Sequence, residues 1–287
     1  RIPGIVNQLN AKHPCRREQM PGLFTADPDL PCPEIEITAD DLGKFYRGCT
    51  RLSGHGPDGL RNEYLICLGF KFEENDPASQ AIEGHAYFAT EFFNARLPAW
   101  WYAVDCAVRM VALIKKQVPE GEIPDVRPVG MGNCRRRAWT SLLVHQRAAA
   151  IGEALGKHQV AVGVKAGLSK LHLLLSQHEA MYPDFVTLKL DCKNAHNSVT
   201  RAAVLRHMRA SPVVEVRELA RAFWATMSPL SRAWGIDNLS EEGVQQGDGL
   251  AGVAFAVAIQ PHLEDAVASL APYDGIIPGC SDDMYIR

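Results

Sequence analysis

Chemistry in this chain concentrates on three carboxylates. Asp191 closes an alternating stretch, Phe185-Val-Thr-Leu-Lys-Leu190, and Asp282-Asp283 interrupts a second apolar segment running from Gly275 to Ile286. Carboxylates delivered by separate strands suit a pair of divalent ions, because Mg²⁺ prefers oxygen ligands and keeps waters, leaving room for substrate phosphates. One ion would lower the pKa of an attacking hydroxyl and the other would stabilise a leaving pyrophosphate. A solvated hairpin tip accounts for an Asp-Asp pair just as simply, so the carboxylates alone leave both readings open. The eight cysteines are spread along the chain with no C-x-x-C pair and no matching histidine pair, which reads as reduced thiols rather than a zinc site.

The elements around these residues follow from pattern and punctuation. Residues 1–46 are rich in turn formers, with Pro21, Pro28, Pro31 and Pro33 breaking regular structure, and read as a loosely ordered lead-in. Thr38 is placed to cap a helix through Leu42, Phe45 and Tyr46, which ends before the Gly-rich turn Ser53–Gly59. Helices are expected over Pro77–Leu97 and over Trp100–Lys116, where Trp100, Val104, Val108, Val111 and Ile114 recur at helical spacing. Pro119 and Pro124 mark a loop, and Arg127 opens a basic unit that continues helically through Arg135-Arg-Arg137 to about Leu155. Further on, Leu168–His178 is amphipathic, Thr200–Arg209 is helical, and Gly247–Leu270 is a Gly/Ala-rich buried helix containing Pro261. Gly275–Ile286 reads as two short strands around an acidic turn.

Composition limits the partners. The 287 residues are 47% hydrophobic and 22% charged, which excludes disorder, collagen and coiled coil. The longest apolar run, Leu250–Ile259, falls short of the roughly 18 residues of a membrane helix. With no signal-peptide pattern at the N-terminus, no membrane partner and an intracellular site, nuclear or cytoplasmic, are expected. The net charge of -3 argues against a polyanion partner until its distribution is considered. Residues 21–100 carry 13 acidic and 6 basic residues, whereas residues 101–150 carry 8 basic and 4 acidic.

The strings around the aspartates add a resemblance. Leu188-Lys-Leu-Asp-Cys-Lys-Asn-Ala-His-Asn-Ser-Val199 resembles the first palm motif of reverse transcriptases of the non-LTR retrotransposon type, and Glu242-Gly-Val-Gln-Gln-Gly-Asp-Gly-Leu250 resembles their second. Ser281-Asp-Asp283 stands in the place of the catalytic Asp-Asp turn. Gly56-Pro-Asp-Gly-Leu60, Arg127-Pro-Val129 with Arg136 and Arg137, and Val162–Gly167 are similar to elements of the family's fingers. The resemblance covers residues 45–287 and implies an α+β right-hand polymerase with helical fingers over residues 47–185 and a partial palm over 186–287, built on a small antiparallel sheet.

It further implies RNA-directed DNA synthesis with two Mg²⁺ or Mn²⁺ ions, an RNA template, a DNA or RNA primer, and dNTPs. Asp191 and Asp282 would hold the metals with the backbone carbonyl of Cys192, and Asp283 would support them. Arg127, Arg136 and Arg137 would clamp the triphosphate, since guanidinium forms bidentate contacts with phosphate. Gln246 and Gly247 would line the nucleotide and template pocket, the glycine by permitting close approach.

Four positions depart from the family pattern. His196 replaces an aromatic whose ring excludes a 2′-hydroxyl, which predicts weaker discrimination against ribonucleotides. Gly249 replaces a proline and is expected to add backbone freedom, Pro278 removes a donor from an expected central strand, and Met284 stands where glycine is frequent. The chain stops four residues after Asp283, so the rest of the palm and the thumb are expected to lie in a longer product. Two rivals stay open: a catalytically inactive retroelement remnant, and an RNA-dependent RNA polymerase sharing the same carboxylate logic.

Overall fold

A computed structural model of the protein describes residues 3–15, 33–70, 77–156, 158–227, 233–234 and 240–287. Helices predominate and two small sheets lie among them, so the chain is α+β. The first helix, α1 (Pro3–Ala11), begins on a proline, whose missing amide hydrogen has no helical partner at that position anyway. Leu9 packs with Val108 and Val126, and the Gln8 side chain donates to the Pro124 carbonyl and accepts from the Val126 amide. Part of the expected loose lead-in is therefore an ordered helix, while Pro21, Pro28 and Pro31 lie outside the described residues.

α2 (Ala39–Arg47) starts where its cap predicts, with Thr38 Oγ1 accepting the Asp41 amide at 3.2 Å. α3 (Asn62–Leu68) follows the Gly-rich turn, and α4 (Pro77–Phe93) matches the helix expected there. The helix expected over Trp100–Lys116 is corrected: α5 (Ala99–Asp105) ends at Cys106, and β1 (Val108–Ile114) takes the remainder. Val108-Arg-Met-Val-Ala-Leu-Ile114 is a nearly continuous apolar run that periodicity alone does not assign, and its β-branched residues favour a strand once a partner is available. That partner is β2 (Val126–Gly132), antiparallel to β1 in the register Val108↔Gly132 to Ile114↔Val126. β2 lies at the sheet edge, where Pro128 costs little.

The basic unit divides into β2, α6 (Cys134–Gln146) and α7 (Ala148–Leu155). Its junction is locked to the Gly56-Pro-Asp-Gly59 turn: a Cβ on Gly56 would fall 2.6 Å from the Asn133 nitrogen, and the Asp58 amide donates to Asn133 Oδ1 at 3.3 Å. Next come α8 (Gly167–Met181), β3 (Leu188–Asp191), the single turn α9 (Ala195–Ser198), α10 (Arg201–Ala210) and α11 (Val214–Thr226). β4 (Ala233–Trp234) pairs in parallel with β1. α12 (Ala251–Leu270) retains Pro261 within it. One apolar core joins α2, α4, α6, α7, α10, α11 and α12 around Trp139, Phe92, Phe93 and Phe223. Each such side chain contributes about 1.5–3 kcal/mol when taken out of water.

β5 (Gly279–Cys280) and β6 (Asp283–Ile286) flank the turn Ser281-Asp282, as expected. The strand order is β3-β6-β5, so Pro278 precedes an edge strand rather than a central one, and its carbonyl accepts the Tyr285 amide at 3.0 Å. The missing donor therefore lies just outside the paired residues Gly279 and Cys280 rather than within a central strand.

His85 lies beneath α6 in this core. Trp139 Nε1 donates to the Tyr46 hydroxyl at 2.9 Å, which leaves the phenol proton for His85 Nδ1 at 3.1 Å. Burial, with Arg135 nearby, pushes the His85 pKa below 6.5, and burial lowers His13 and His196 likewise. The folded state thus binds fewer protons than the unfolded chain below pH 6.5, so this stability is complete above that value and is lost as pH falls through the folded pKa. The urea midpoint should fall between pH 7 and pH 5, and His85→Gln, which keeps an acceptor for Tyr46, should flatten that decline. An unchanged slope in His85→Gln would show that His85 is charged in the fold.

Candidate active site

Two adjoining cavities open between the sheets, of about 630 and 680 Å³, and both are lined by Arg127, Asp191, Gln246 and Asp282. The larger also takes in His196, Gly247 and Asp283. The structure thus gathers segments near positions 127, 191, 196, 246 and 282. Among the residues predicted for the site, Cys192 lines the neighbouring cavity, whereas Arg136 and Arg137 reach neither.

The acidic wall is built by the second sheet. Antiparallel pairing sets Asp191 opposite Asp283, and the Ser281-Asp282 turn lifts Asp282 to the same end. Asp283 is tied to Lys189 by a 2.9 Å ion pair, which holds the ammonium above its usual pKa. Both side chains are about half exposed, so solvent screens the pair and it adds little to stability. Burial and then the charges of Asp282 and Asp191 raise the Cys192 thiol, which stays protonated. The Cys192 carbonyl already accepts the Ala195 amide at 3.2 Å and has one lone pair left. Asn194 follows with φ +57, and its side-chain Nδ2 donates to Ser198 Oγ within the turn and to the distant Lys12 carbonyl.

Arg127 projects from the exposed positions of β2, between the buried Val126 and Pro128. Arg136 and Arg137 are corrected, since both are engaged elsewhere. Arg136 is 1% exposed and donates to the Cys106 carbonyl at 3.0 Å and to Gln245 Oε1 at 2.8 Å. Arg137 donates to Ser53 Oγ and the Gly54 carbonyl, holding the Gly-rich turn. Of the three arginines expected at the cleft, Arg127 is the one that lines it. Helical packing explains the error: Arg136 and Arg137 are adjacent on α6 and point to different faces of it, one into the core and one onto the Gly-rich turn.

The Gln245–Leu250 loop forms the remaining wall. Gly247 has φ +101, and a Cβ there would meet the Gly130 oxygen at an ordinary 3.7 Å. Backbone conformation rather than close approach is what requires glycine. Gly249 is corrected in the opposite sense. A Cβ would fall 2.5 Å from the Ser141 nitrogen, and the Gly249 amide donates to Thr140 Oγ1 at 3.2 Å. Contact with α6 fixes this residue rather than freeing it. His196 stacks on Phe255 with centroids 5.2 Å apart and planes 18° apart. Burial lowers its pKa, Asp282 partly opposes the shift, and Arg127 adds to it, so a neutral imidazole faces the cavity.

Among the described residues, no group of three or more His, Cys, Asp or Glu side chains is arranged to hold a metal. Two carboxylates at an open cavity still suit Mg²⁺, which takes one or two carboxylates and completes its shell with water and phosphate. Sequence reasoning missed the basic rim of the smaller cavity, where Lys12 and Lys115 bracket Asp125 at 2.6 and 2.9 Å. Both lysines lower the Asp125 pKa to about 2. Pro3 followed by Ile5, Val6 and Leu9 was the available signal for the helix that brings Lys12 there.

A proline at position 249 should destabilise the fold by about 3 kcal/mol or more, through the lost donor and the contact with α6. Gly249→Pro therefore lowers the thermal midpoint, and a midpoint equal to wild type would contradict the α6 contact. In comparisons with known proteins, no family model matches this chain and no curated protein matches its sequence.

Proposed function

We propose that this chain is the fingers and partial palm of an RNA-directed DNA polymerase of the non-LTR retrotransposon type, with a right-hand architecture divided near residue 186. One observation carries the reading: Arg127, Asp191, Gln246 and Asp282, taken from four separate family-like strings, line one continuous cleft. Random resemblance gives no reason for strings separated by more than 150 residues to converge.

In this reading Asp191 and Asp282 hold two divalent ions, with the Cys192 carbonyl as a further oxygen donor. The ions supply acidification of a primer 3′-hydroxyl and neutralisation of the leaving pyrophosphate. Arg127 meets the triphosphate with a planar guanidinium suited to bidentate contact. Gln246 and the flat backbone at Gly247 border the base and template side. Asp283 keeps Lys189 beside the acidic turn and tempers its charge. His196, held by Phe255, presents a smaller and more polar face to the sugar than an aromatic would. That same residue favours a second reading, RNA-directed RNA synthesis, in which a 2′-hydroxyl is accepted.

Primer extension on an RNA template with Mg²⁺ or Mn²⁺ tests both readings. Asp282→Ala should reduce extension on the order of 10³-fold, as expected when several kcal/mol of charge stabilisation is lost. Asp283→Asn should cost less, because Asp283 is already paired with Lys189. The test uses the full reading frame: extension unaffected by Asp282→Ala refutes the site, and a folded full-length product that neither extends nor binds Mn²⁺ supports the inactive remnant.

Nucleotide selection is a separate outcome. His196→Phe keeps the stack on Phe255 and should raise the ratio of dNTP to rNTP incorporation. Equal ratios in the two proteins would remove His196 from sugar discrimination, and a wild-type preference for rNTPs would favour the RNA polymerase.

A further inference from the structure

We propose that Gln159 is a positioning residue for Asp282, acting through the backbone of Ser281; the role rests on the function proposed above. Gln159 is fully buried, and both polar atoms of its carboxamide are engaged. Its Nε2 donates to the Ser281 carbonyl at 3.1 Å, while Oε1 accepts the Ser281 amide at 2.8 Å and the Ala161 amide at 3.1 Å. The Ser281 amide belongs to the peptide entering that residue, and its carbonyl belongs to the peptide leading into Asp282. One carboxamide thus fixes both planes flanking Ser281 and sets the direction in which the Asp282 side chain departs. The clamp also holds Ser281 at φ +60, a left-handed conformation uncommon for a residue other than glycine.

The rest of the segment serves to bring Gln159 there. The Gly279 amide donates to the His158 carbonyl at 2.7 Å, and the Val160 amide donates to the Gly279 carbonyl at 2.9 Å, so residues 158–160 run parallel beside β5. The glycines that follow keep the segment tightly folded. At Gly167 a Cβ would fall 1.9 Å from the Val160 oxygen, and at Gly163, with φ +73, it would fall 2.4 Å from the Ala148 oxygen. The glycine-rich stretch therefore acts as a strut between α7 and the acidic turn. Gln159 itself contacts no reacting group.

Three measurements on the same variants test the role. Gln159→Ala removes the clamp, Gln159→Glu retains the acceptor but loses the donor when ionised, and Val160→Ala perturbs the segment without touching Ser281. The expected result for Gln159→Ala is at least tenfold faster hydrogen exchange at the Ser281 amide. Mn²⁺ affinity, followed by electron paramagnetic resonance, should weaken 10- to 100-fold, the usual cost of losing an outer partner of a metal ligand. In primer extension kcat should fall with KM for dNTP within about twofold, and Gln159→Glu should lie between Gln159→Ala and wild type.

A merely structural role predicts that Val160→Ala, at equal loss of thermal midpoint, matches Gln159→Ala in Mn²⁺ affinity and kcat; that result overturns the proposal. Should Gln159→Ala fail to fold, Gln159→Met fills the space and replaces it. If wild type binds no Mn²⁺ and extends no primer, the function proposed above fails instead. Exchange at Ser281 then decides the clamp by itself, and an unchanged rate in the variant overturns it.

Discussion

A guanidinium taken almost entirely out of water must be satisfied, and the way Arg136 is satisfied arranges the cleft. Its partners come from the end of α5, through the Cys106 carbonyl, and from the loop after residue 240, through Gln245 Oε1 and Asp248. The Asp248 carboxylate faces it across 3.6 Å with both side chains 1% exposed, close enough for charge pairing and too far for a hydrogen bond. Such pairs gain little net stability against desolvation, but removing one member leaves a buried charge. Arg136 also explains Gly132, where a Cβ would fall 2.2 Å from Nη2. One cation thus fixes the end of β2, the start of α6 and the loop that carries Gln246 and Gly247.

A second buried arginine performs the corresponding task at the other end of that loop. Arg201, at the start of α10, donates from Nε to the Gly243 carbonyl and from Nη1 to the Met227 and Ser240 carbonyls, and its amide donates to Glu242 Oε2. Gly243 must be glycine, with φ +71 and a Cβ position 2.4 Å from the Asn197 backbone. The loop is thereby bound to the turn containing His196, whose carbonyl accepts the Val244 amide at 2.6 Å. Two buried cations hold one wall of the cleft, and the β3-β6-β5 sheet with its Gln159 clamp holds the other. On both sides of the cleft the connections are made by buried side chains bonded to distant backbone groups, rather than by exposed ion pairs.

Much of this was legible where local rules act alone. Thr38 capped its helix, Asp191 closed its strand, the acidic turn fell between two short strands, and α12 followed the glycine-bearing loop. The failures share a cause. Val108–Ile114 carries a period compatible with helix or strand, and only β2, arriving across a loop, selected the strand. Arg136 and Arg137 had the composition of a phosphate clamp, but which of them faces solvent depends on how α6 sits on the core. Gly249 read as freedom because the Thr140 hydroxyl that uses its amide lies 109 residues away.

The sequence by itself determined which residue types could carry the chemistry and the order in which they occur, because charge, capping and turn propensity are local properties. Tertiary structure alone decided that Arg127 rather than Arg136 or Arg137 lines the cleft with the carboxylates, that Lys189 pairs with Asp283, and that Gln159 holds the turn between strands. Each of those outcomes depends on burial and on contacts between distant segments, and the dehydration of Arg136 and Gln159 that makes their bonds decisive exists only once the chain has folded.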